Sequence, residues 1–103
     1  MIENLEAMLA TGQDSALLRF TLGSGLFKAG DVAGAIRHLG EAVSQDPEYS
    51  AAWKAYGKAL QEAGDFCGAC SAFETGIAAA TKKGDVQAAK EMKVFLKRAE
   101  KEL

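Results

Sequence analysis

The first half of the chain carries apolar side chains at helical spacing. Leu18, Leu22 and Leu26 recur every four residues, which places them on one stripe of a helix. This helix is predicted to begin near Asp14 or Ser15, because their side-chain oxygens can accept hydrogen bonds from free backbone N–H groups. A second helix, ending before the Asp46-Pro47 step, is indicated by four apolar positions on one face: Ala35, Ile36, Leu39 and Val43.

A glycine followed by an aspartate separates these two helices. Gly30 can adopt the left-handed conformation that ends a helix, and Asp31 can cap the helix that follows. The same pair returns as Gly64-Asp65. Sliding the chain by 34 residues aligns 17–47 with 51–81 and superimposes the two turns. The chain therefore contains two copies of one helix–turn–helix unit.

The alignment also matches small residues inside the helices. Gly23 meets Gly57, and Ala35 meets Ala69. Glycine costs a helix roughly 1 kcal/mol relative to alanine, so its recurrence needs a packing reason. We expect the helices of each unit to cross closely at these positions. The apolar positions of the second unit follow the plan of the first: Ala52, Trp53, Tyr56 and Leu60, then Phe66, Ala69, Phe73 and Ile77.

The two ends of the chain are predicted to form capping helices. Ile2, Leu5, Met8 and Leu9 indicate a short helix ended by Gly12. A last helix follows Gly84-Asp85 and places five apolar residues on one stripe: Ala89, Met92, Leu96, Ala99 and Leu103. This stripe would cover the second unit, although it also permits a coiled-coil dimer. The predicted single domain, 1–103, divides into an N-terminal cap (1–13), repeats at 14–48 and 49–83, and a C-terminal cap (84–103).

Composition and charge narrow the functional classes. The 103 residues are 49% hydrophobic and 25% charged, as in ordinary globular domains. No apolar run approaches the roughly 20 residues that span a bilayer, and the acidic start does not resemble a signal peptide. We therefore expect a cytoplasmic protein without membrane association.

A net charge of −2 gives no reason to expect nucleic acid as the partner. Residues 82–103 have a net charge of +3, whereas residues 1–81 have a net charge of −5. The C-terminal segment is therefore either a contact for an acidic surface or a solvated helix face.

Cys67 and Cys70 form a C-x-x-C motif near a predicted helix start, where thioredoxin-type proteins place reactive thiols. That fold needs βαβ units, and no such unit is indicated here. The repeat alignment puts both cysteines at small or apolar positions, so we expect a structural role, with a thiol redox function as the alternative. Two thiols and the single His38, expected at the surface, do not make a zinc site. We predict no catalytic site, metal or cofactor.

Taken together, the two units resemble the tetratricopeptide repeat family across about residues 16–81. The second unit carries the family's pattern of aromatic, small and apolar residues: Trp53, Tyr56-Gly57, Leu60, Ala69 and Phe73. Three positions depart from that pattern, since Arg19 replaces an aromatic residue, Gly76 an alanine and Thr81 a proline. The resemblance implies an all-α fold, an antiparallel stack of helix pairs of the α-solenoid type.

In the family that these units resemble, the first helix of each repeat lines a concave groove that binds peptides. The resemblance implies a peptide-binding site of six residues here: Phe20, Ser24, Phe27, Lys54, Lys58 and Gln61. It would suit a protein or peptide partner that offers apolar side chains and a carboxylate. The alternative is that both phenylalanines pack under the N-terminal helix and that the lysines are solvated. We predict a protein-interaction module, monomeric or weakly dimeric, with a self-associating structural subunit as a further alternative.

Overall fold

The computed structural model describes all 103 residues and contains six α-helices and no strand. In chain order the helices are α1 (Ile2–Ala10), α2 (Ala16–Lys28), α3 (Val32–Gln45), α4 (Ser50–Glu62), α5 (Phe66–Lys83) and α6 (Val86–Glu100). The all-α prediction is confirmed. The pairs α2/α3 and α4/α5 fall inside the predicted units 14–48 and 49–83, whose boundaries stay a prediction. None of the six helices has the length and apolar character needed to cross a membrane.

The predicted glycine–aspartate turns start α3, α5 and α6. Asp31 is the N-cap of α3, and its carboxylate accepts a hydrogen bond of 2.9 Å from the N–H of Gly34. Asp65 and Asp85 cap α5 and α6 in the same way, each accepting from the residue three positions on. The preceding glycines all have positive φ, a conformation that costs glycine little: Gly30, Gly64 and Gly84.

The predicted close crossings occur at Gly23 and Gly57. A Cβ added at Gly23 would lie 2.7 Å from Cγ of Leu39, on the paired helix α3. A Cβ at Gly57 would lie 2.5 Å from Cε1 of Phe73, on α5. Each glycine therefore lets a large side chain of the partner helix reach its backbone, as the sequence predicts.

Gly76, which departs from the family pattern, also has a packing reason. A Cβ there would lie 2.5 Å from Sδ of Met92 on α6 and 2.7 Å from Cβ of Trp53 on α4. Met92 is fully buried. The missing side chain at Gly76 thus makes room for two larger ones, where α4, α5 and α6 meet.

The helices stack in sequence order. Helix α2 pairs with α3 and α4 with α5, while contacts between α3 and α4 join the two pairs. Helix α6 covers α5 and touches α4, and α1 rests on α2. This order places α2, α4 and α6 next to one another along one side of the molecule. The largest fully buried side chains are Phe73, Leu22, Leu39 and Met92.

The two end helices pack most of their predicted stripes against the stack, half-buried in α1 and largely buried in α6. Helix α1 packs on the core around Leu22 through Ile2, Leu5 and Leu9. In α6, Ala89, Met92 and Ala99 are buried and Leu96 is half-buried. Two predicted members are exposed. Met8 lies at the edge of the α1 stripe, 38% exposed, and Leu103 lies beyond the end of α6 at Glu100, 70% exposed. The prediction was wrong for these two residues.

Candidate functional site

Three adjoining depressions lie along the side of the stack where α2, α4 and α6 are neighbours. Their volumes are about 140, 270 and 330 Å3, and Lys58 lines all three. We call this surface the α2–α4–α6 groove. Apart from Leu39 of α3, its lining residues are Ser24, Phe27 and Lys28 from α2, Lys54, Ala55, Lys58, Gln61 and Glu62 from α4, and Glu91, Val94, Phe95 and Arg98 from α6. Two aromatic rings and four cationic side chains thus border one surface.

The groove brings together five of the six residues predicted as a peptide site. Ser24 and Phe27 line the end between α2 and α4, and Gln61 lies with Phe27 in the middle depression. Lys54 and Lys58 share the depression next to α6. Phe20 is the exception, because it does not line the groove. Its half-buried ring packs 5.0 Å from the ring of Tyr49, measured between centroids, inside the junction of the two repeats.

Lys54 is engaged within the molecule. Its Nζ donates to Oε1 of Glu91 at 2.7 Å, so this ion pair joins α4 to α6. Gln87 donates to the other carboxylate oxygen at 3.3 Å. The hydrogen bond from Lys54, followed by that from Gln87, lowers the pKa of Glu91. Lys54 therefore serves first as a contact between helices, a role that the sequence pattern does not show.

Lys58 and Arg98 lie on the ring of Phe95. The Nζ of Lys58 is 5.2 Å from the ring centroid and the guanidinium carbon of Arg98 is 5.6 Å from it. These distances suit cation–π attraction. Neither cation takes part in an ion pair. The ring itself stacks on the buried Phe73, with centroids 5.7 Å apart, so it forms a fixed floor between two positive charges that form no ion pair.

Sequence reasoning missed Glu91, Phe95 and Arg98. All three belong to α6, which was predicted as a cap and as a possible contact for an acidic surface, but not as part of the peptide-binding groove. One signal was present, since Phe95 lies three residues after Met92 and so borders the apolar stripe. The approach of α6 to Lys54 and Lys58 is a tertiary contact that helical periodicity does not contain.

A polar cluster occupies the place where the family pattern has an aromatic residue. Arg19 donates twice to Asp14, both bonds at 2.9 Å, and its Nη1 lies 3.2 Å from Nδ1 of His38. Since a guanidinium has no acceptor, Nδ1 must accept. Ser15 rather than Asp14 caps α2, accepting from the N–H of Leu18 at 3.0 Å.

The prediction of a surface position for His38 was wrong, because only 8% of the residue is exposed. It lies on the face of α3 that packs against α2, where Arg19 reaches it. Burial, and then the positive charges of Arg19 and Arg37, lower the pKa of His38. The ring is therefore neutral near pH 7 and bonds α3 to α2.

The two cysteines differ in exposure. Cys67 is exposed and Cys70 is buried, and both are free thiols. Burial raises the pKa of Cys70, with smaller contributions from neighbouring carboxylates. A raised pKa reduces the thiolate fraction on which thiol exchange depends. No three His, Cys, Asp or Glu side chains are grouped so as to hold a metal ion.

The chain is similar to known proteins along nearly its whole length. Residues 26–92 match the family model described as tetratricopeptide repeat. A TPR repeat-containing protein of Pseudomonas aeruginosa is 56% identical over 101 residues, which are 98% of this chain and 96% of that protein. The solution structure of a Bordetella parapertussis protein is 50% identical, with a TM-score of 0.82 and coverage of 99% of this chain and 89% of that one.

The crystal structure of a tetratricopeptide repeat domain protein from Salinibacter ruber has a TM-score of 0.78, covering 84% of this chain and 97% of that one. At 22% identity this likeness concerns the fold alone. The family model matches more than half of the chain, and the Pseudomonas relative exceeds half identity at nearly full coverage. This chain belongs to the tetratricopeptide repeat family.

Proposed function

We propose that the protein is an interaction module that binds a protein or peptide partner in the α2–α4–α6 groove. The tetratricopeptide repeat fold is one that serves protein–protein interaction, and the groove lies on the side formed by the first helix of each pair. The observation that carries the proposal is the pair of cations on the ring of Phe95, Lys58 and Arg98, neither of which forms an ion pair. A carboxylate of the partner would compensate both.

The apolar part of the partner would lie toward α2. Phe27, Leu39 and Ala55 line the depression of about 140 Å3 next to Lys58, and this volume suits one apolar side chain. Binding surfaces of this kind combine an apolar pocket with a few polar groups that fix orientation. We therefore infer a partner segment with an apolar side chain close to an acidic one. The proposal includes a noncatalytic role and a cytoplasmic protein that is monomeric or weakly dimeric.

The other two functional alternatives gain no support from these contacts. A thiol redox role needs a thiol of low pKa, whereas burial raises the pKa of Cys70. Self-association through a coiled coil needs a free apolar stripe on α6, but Ala89, Met92 and Ala99 of that stripe are buried within the chain.

The proposal can be tested with a displayed library of random peptides selected against the folded protein. Selected peptides should shift the amide resonances of Phe27, Lys58 and Phe95 in two-dimensional NMR spectra. A Lys58→Glu/Arg98→Glu variant should bind them at least about tenfold more weakly, or about 1.4 kcal/mol.

The matched control for this variant is Arg37→Glu/Lys90→Glu, because it changes the net charge equally at exposed positions that lie outside the groove and form no ion pair. Lys54 is left unchanged, since a glutamate there would face Glu91 and disturb the contact between α4 and α6. Selected peptides that bind elsewhere, or that bind both variants equally, would contradict the proposal.

A further inference from the structure

The outer face of α6 carries four lysines on one stripe. Lys90, Lys93, Lys97 and Lys101 follow one another at steps of three and four residues, which aligns them along about 16 Å of the helix. All four are exposed. The four ion pairs of the molecule involve other cations, so the lysines of this stripe have no carboxylate partner within the chain.

A shallow depression of about 260 Å3 lies beside this stripe, where α5 ends and α6 begins. Lys90 and Lys93 form its rim, and small or short side chains form its floor: Thr81, Gly84, Val86 and Ala89. Val86 is 64% exposed although it is apolar. Small residues at a contact let the axes of two helices approach closely, so this surface suits a further helix laid against the end of the stack.

The centre of the stripe lies on a different flank of α6 from the α2–α4–α6 groove. Glu91 and Arg98 border the groove and lie on one flank of α6, whereas Lys93 and Lys97 lie on the other. The buried stripe that includes Met92 runs between the two flanks. On the solvent side the two surfaces adjoin at Val94, which lines the groove and lies about one turn from Lys90 and Lys97. A ligand centred on Val86 and Lys93 would leave Lys58 and Arg98 free.

We propose that the lysine stripe and its depression form a second docking surface, and that its occupant is an acidic amphipathic helix of a partner protein. Carboxylates spaced at three and four residues on such a helix would face the lysines, and a small apolar side chain between them would cover Val86. The segment 82–103 has a net charge of +3, against −5 for the rest of the chain, so the end of the stack attracts an acidic partner.

A membrane surface fits this stripe less well than a helix does. Helices that lie in membrane interfaces insert Trp, Phe or Leu side chains into the lipid. In α6 the large apolar residues Met92 and Leu96 face the stack instead, and the exposed apolar side chains among the lysines are two valines, Val86 and Val94. The proposal is independent of groove binding, because no residue is shared by the two surfaces.

The probe is a synthetic helix of about 18 residues, long enough to fold on contact, with alanine and leucine on one face and glutamates at the lysine spacing. Titrated into the isotope-labelled protein, it should shift the amide resonances of Val86, Ala89 and Lys93 rather than those of Phe27 and Lys58. A Lys90→Glu/Lys93→Glu/Lys97→Glu variant should bind it at least about tenfold more weakly, since each substitution replaces a modest surface attraction by a repulsion.

Three controls accompany the measurement. The same helix with glutamine for glutamate should bind weakly, and the Lys58→Glu/Arg98→Glu variant should bind the acidic helix as wild type does. A triple Lys→Gln variant gives the same comparison if the charge-reversed chain fails to fold. Raising NaCl from about 0.05 to about 0.5 M should weaken binding, because exposed charges are screened.

The proposal is overturned if the acidic helix causes no shifts, shifts the groove, or binds no better than its glutamine form. It is also overturned if vesicles containing phosphatidylglycerol bind the stripe more tightly than the helix does. A self-association seen by sedimentation and lost in the triple variant would make a second copy the occupant instead. Groove binding of selected peptides is measured separately, so failure here leaves the proposed function standing.

Discussion

Replacing Gly57 by alanine would push a methyl group into the crossing of α4 and α5. An ideal Cβ at this position lies 2.5, 2.7 and 2.8 Å from Cε1, Cδ1 and Cζ of Phe73, whereas carbon atoms in contact prefer about 3.5–4.0 Å. Phe73 is fully buried and stacks on Phe95, so its ring cannot yield without moving α5 or α6. Overpacking of this kind costs about 1–3 kcal/mol, against about 1 kcal/mol gained in helix propensity. We expect a net loss of roughly 1 kcal/mol in the free energy of unfolding.

Gly40→Ala is the matched control for this substitution. A Cβ at Gly40 would lie 3.5 Å from Tyr56, an ordinary contact, so the helix-propensity gain of up to about 1 kcal/mol should remain. Urea unfolding followed by circular dichroism should therefore move the midpoint down for Gly57→Ala and up for Gly40→Ala. In a Phe73→Leu background the Gly57→Ala change should cost less, because the shorter side chain leaves room. Equal urea midpoints for the two alanine variants would refute the packing argument. So would a destabilisation by Gly57→Ala that is the same in the Phe73→Leu background as in wild type.

Three further predictions follow from the titratable groups. The unfolded chain binds a proton at His38 more readily than the folded chain does, because the pKa of His38 is lowered in the fold. The urea concentration at the unfolding midpoint should therefore decrease when the pH is lowered from about 7.5 to about 5.5. The decrease should be smaller in a His38→Gln variant. Glu91→Gln should lower the urea midpoint at neutral pH, because the pKa of Glu91 is lower in the folded chain than in the unfolded one. The difference between the two proteins should vanish in acid, where the carboxyl of Glu91 is protonated. Iodoacetamide should label exposed Cys67 rapidly and buried Cys70 slowly, as mass spectrometry of digests would show.

Much of the fold follows from local signals in the sequence. The spacing of Leu18, Leu22 and Leu26 predicts α2, and the repeated glycine–aspartate pairs predict where α3 and α5 begin. The correspondence of Gly23 with Gly57 predicts the close crossings, because a glycine retained inside a helix needs a neighbour that comes near. These features depend on contacts between residues of the same helix–turn–helix unit. Such residues are close in sequence, so the local pattern largely determines which of them meet.

The errors lie where burial depends on a different part of the chain. His38 is buried because Arg19, on the preceding helix, offers a donor to its ring, a pairing that periodicity in α3 alone does not contain. Leu103 keeps the spacing of the α6 stripe but lies past the helix end, where no neighbour covers it. Periodicity predicts which side chains share a face, and only the tertiary fold decides how far that face is covered.

The same distinction separates two lysines that the sequence makes equivalent. Lys54 and Lys58 lie one turn apart on α4, so spacing alone predicts that they act together. Helix α6 assigns them different roles, because Glu91 forms an ion pair with Lys54, whereas Lys58 lies on the ring of Phe95 and forms no ion pair. Reversing the charge of both would therefore mix a loss of helix contact with a loss of ligand binding. Reversing Lys58 together with Arg98 leaves the ion pair between α4 and α6 in place but gives up two cation–π contacts on Phe95, so comparing the urea midpoint of this variant with that of wild type separates loss of recognition from loss of stability.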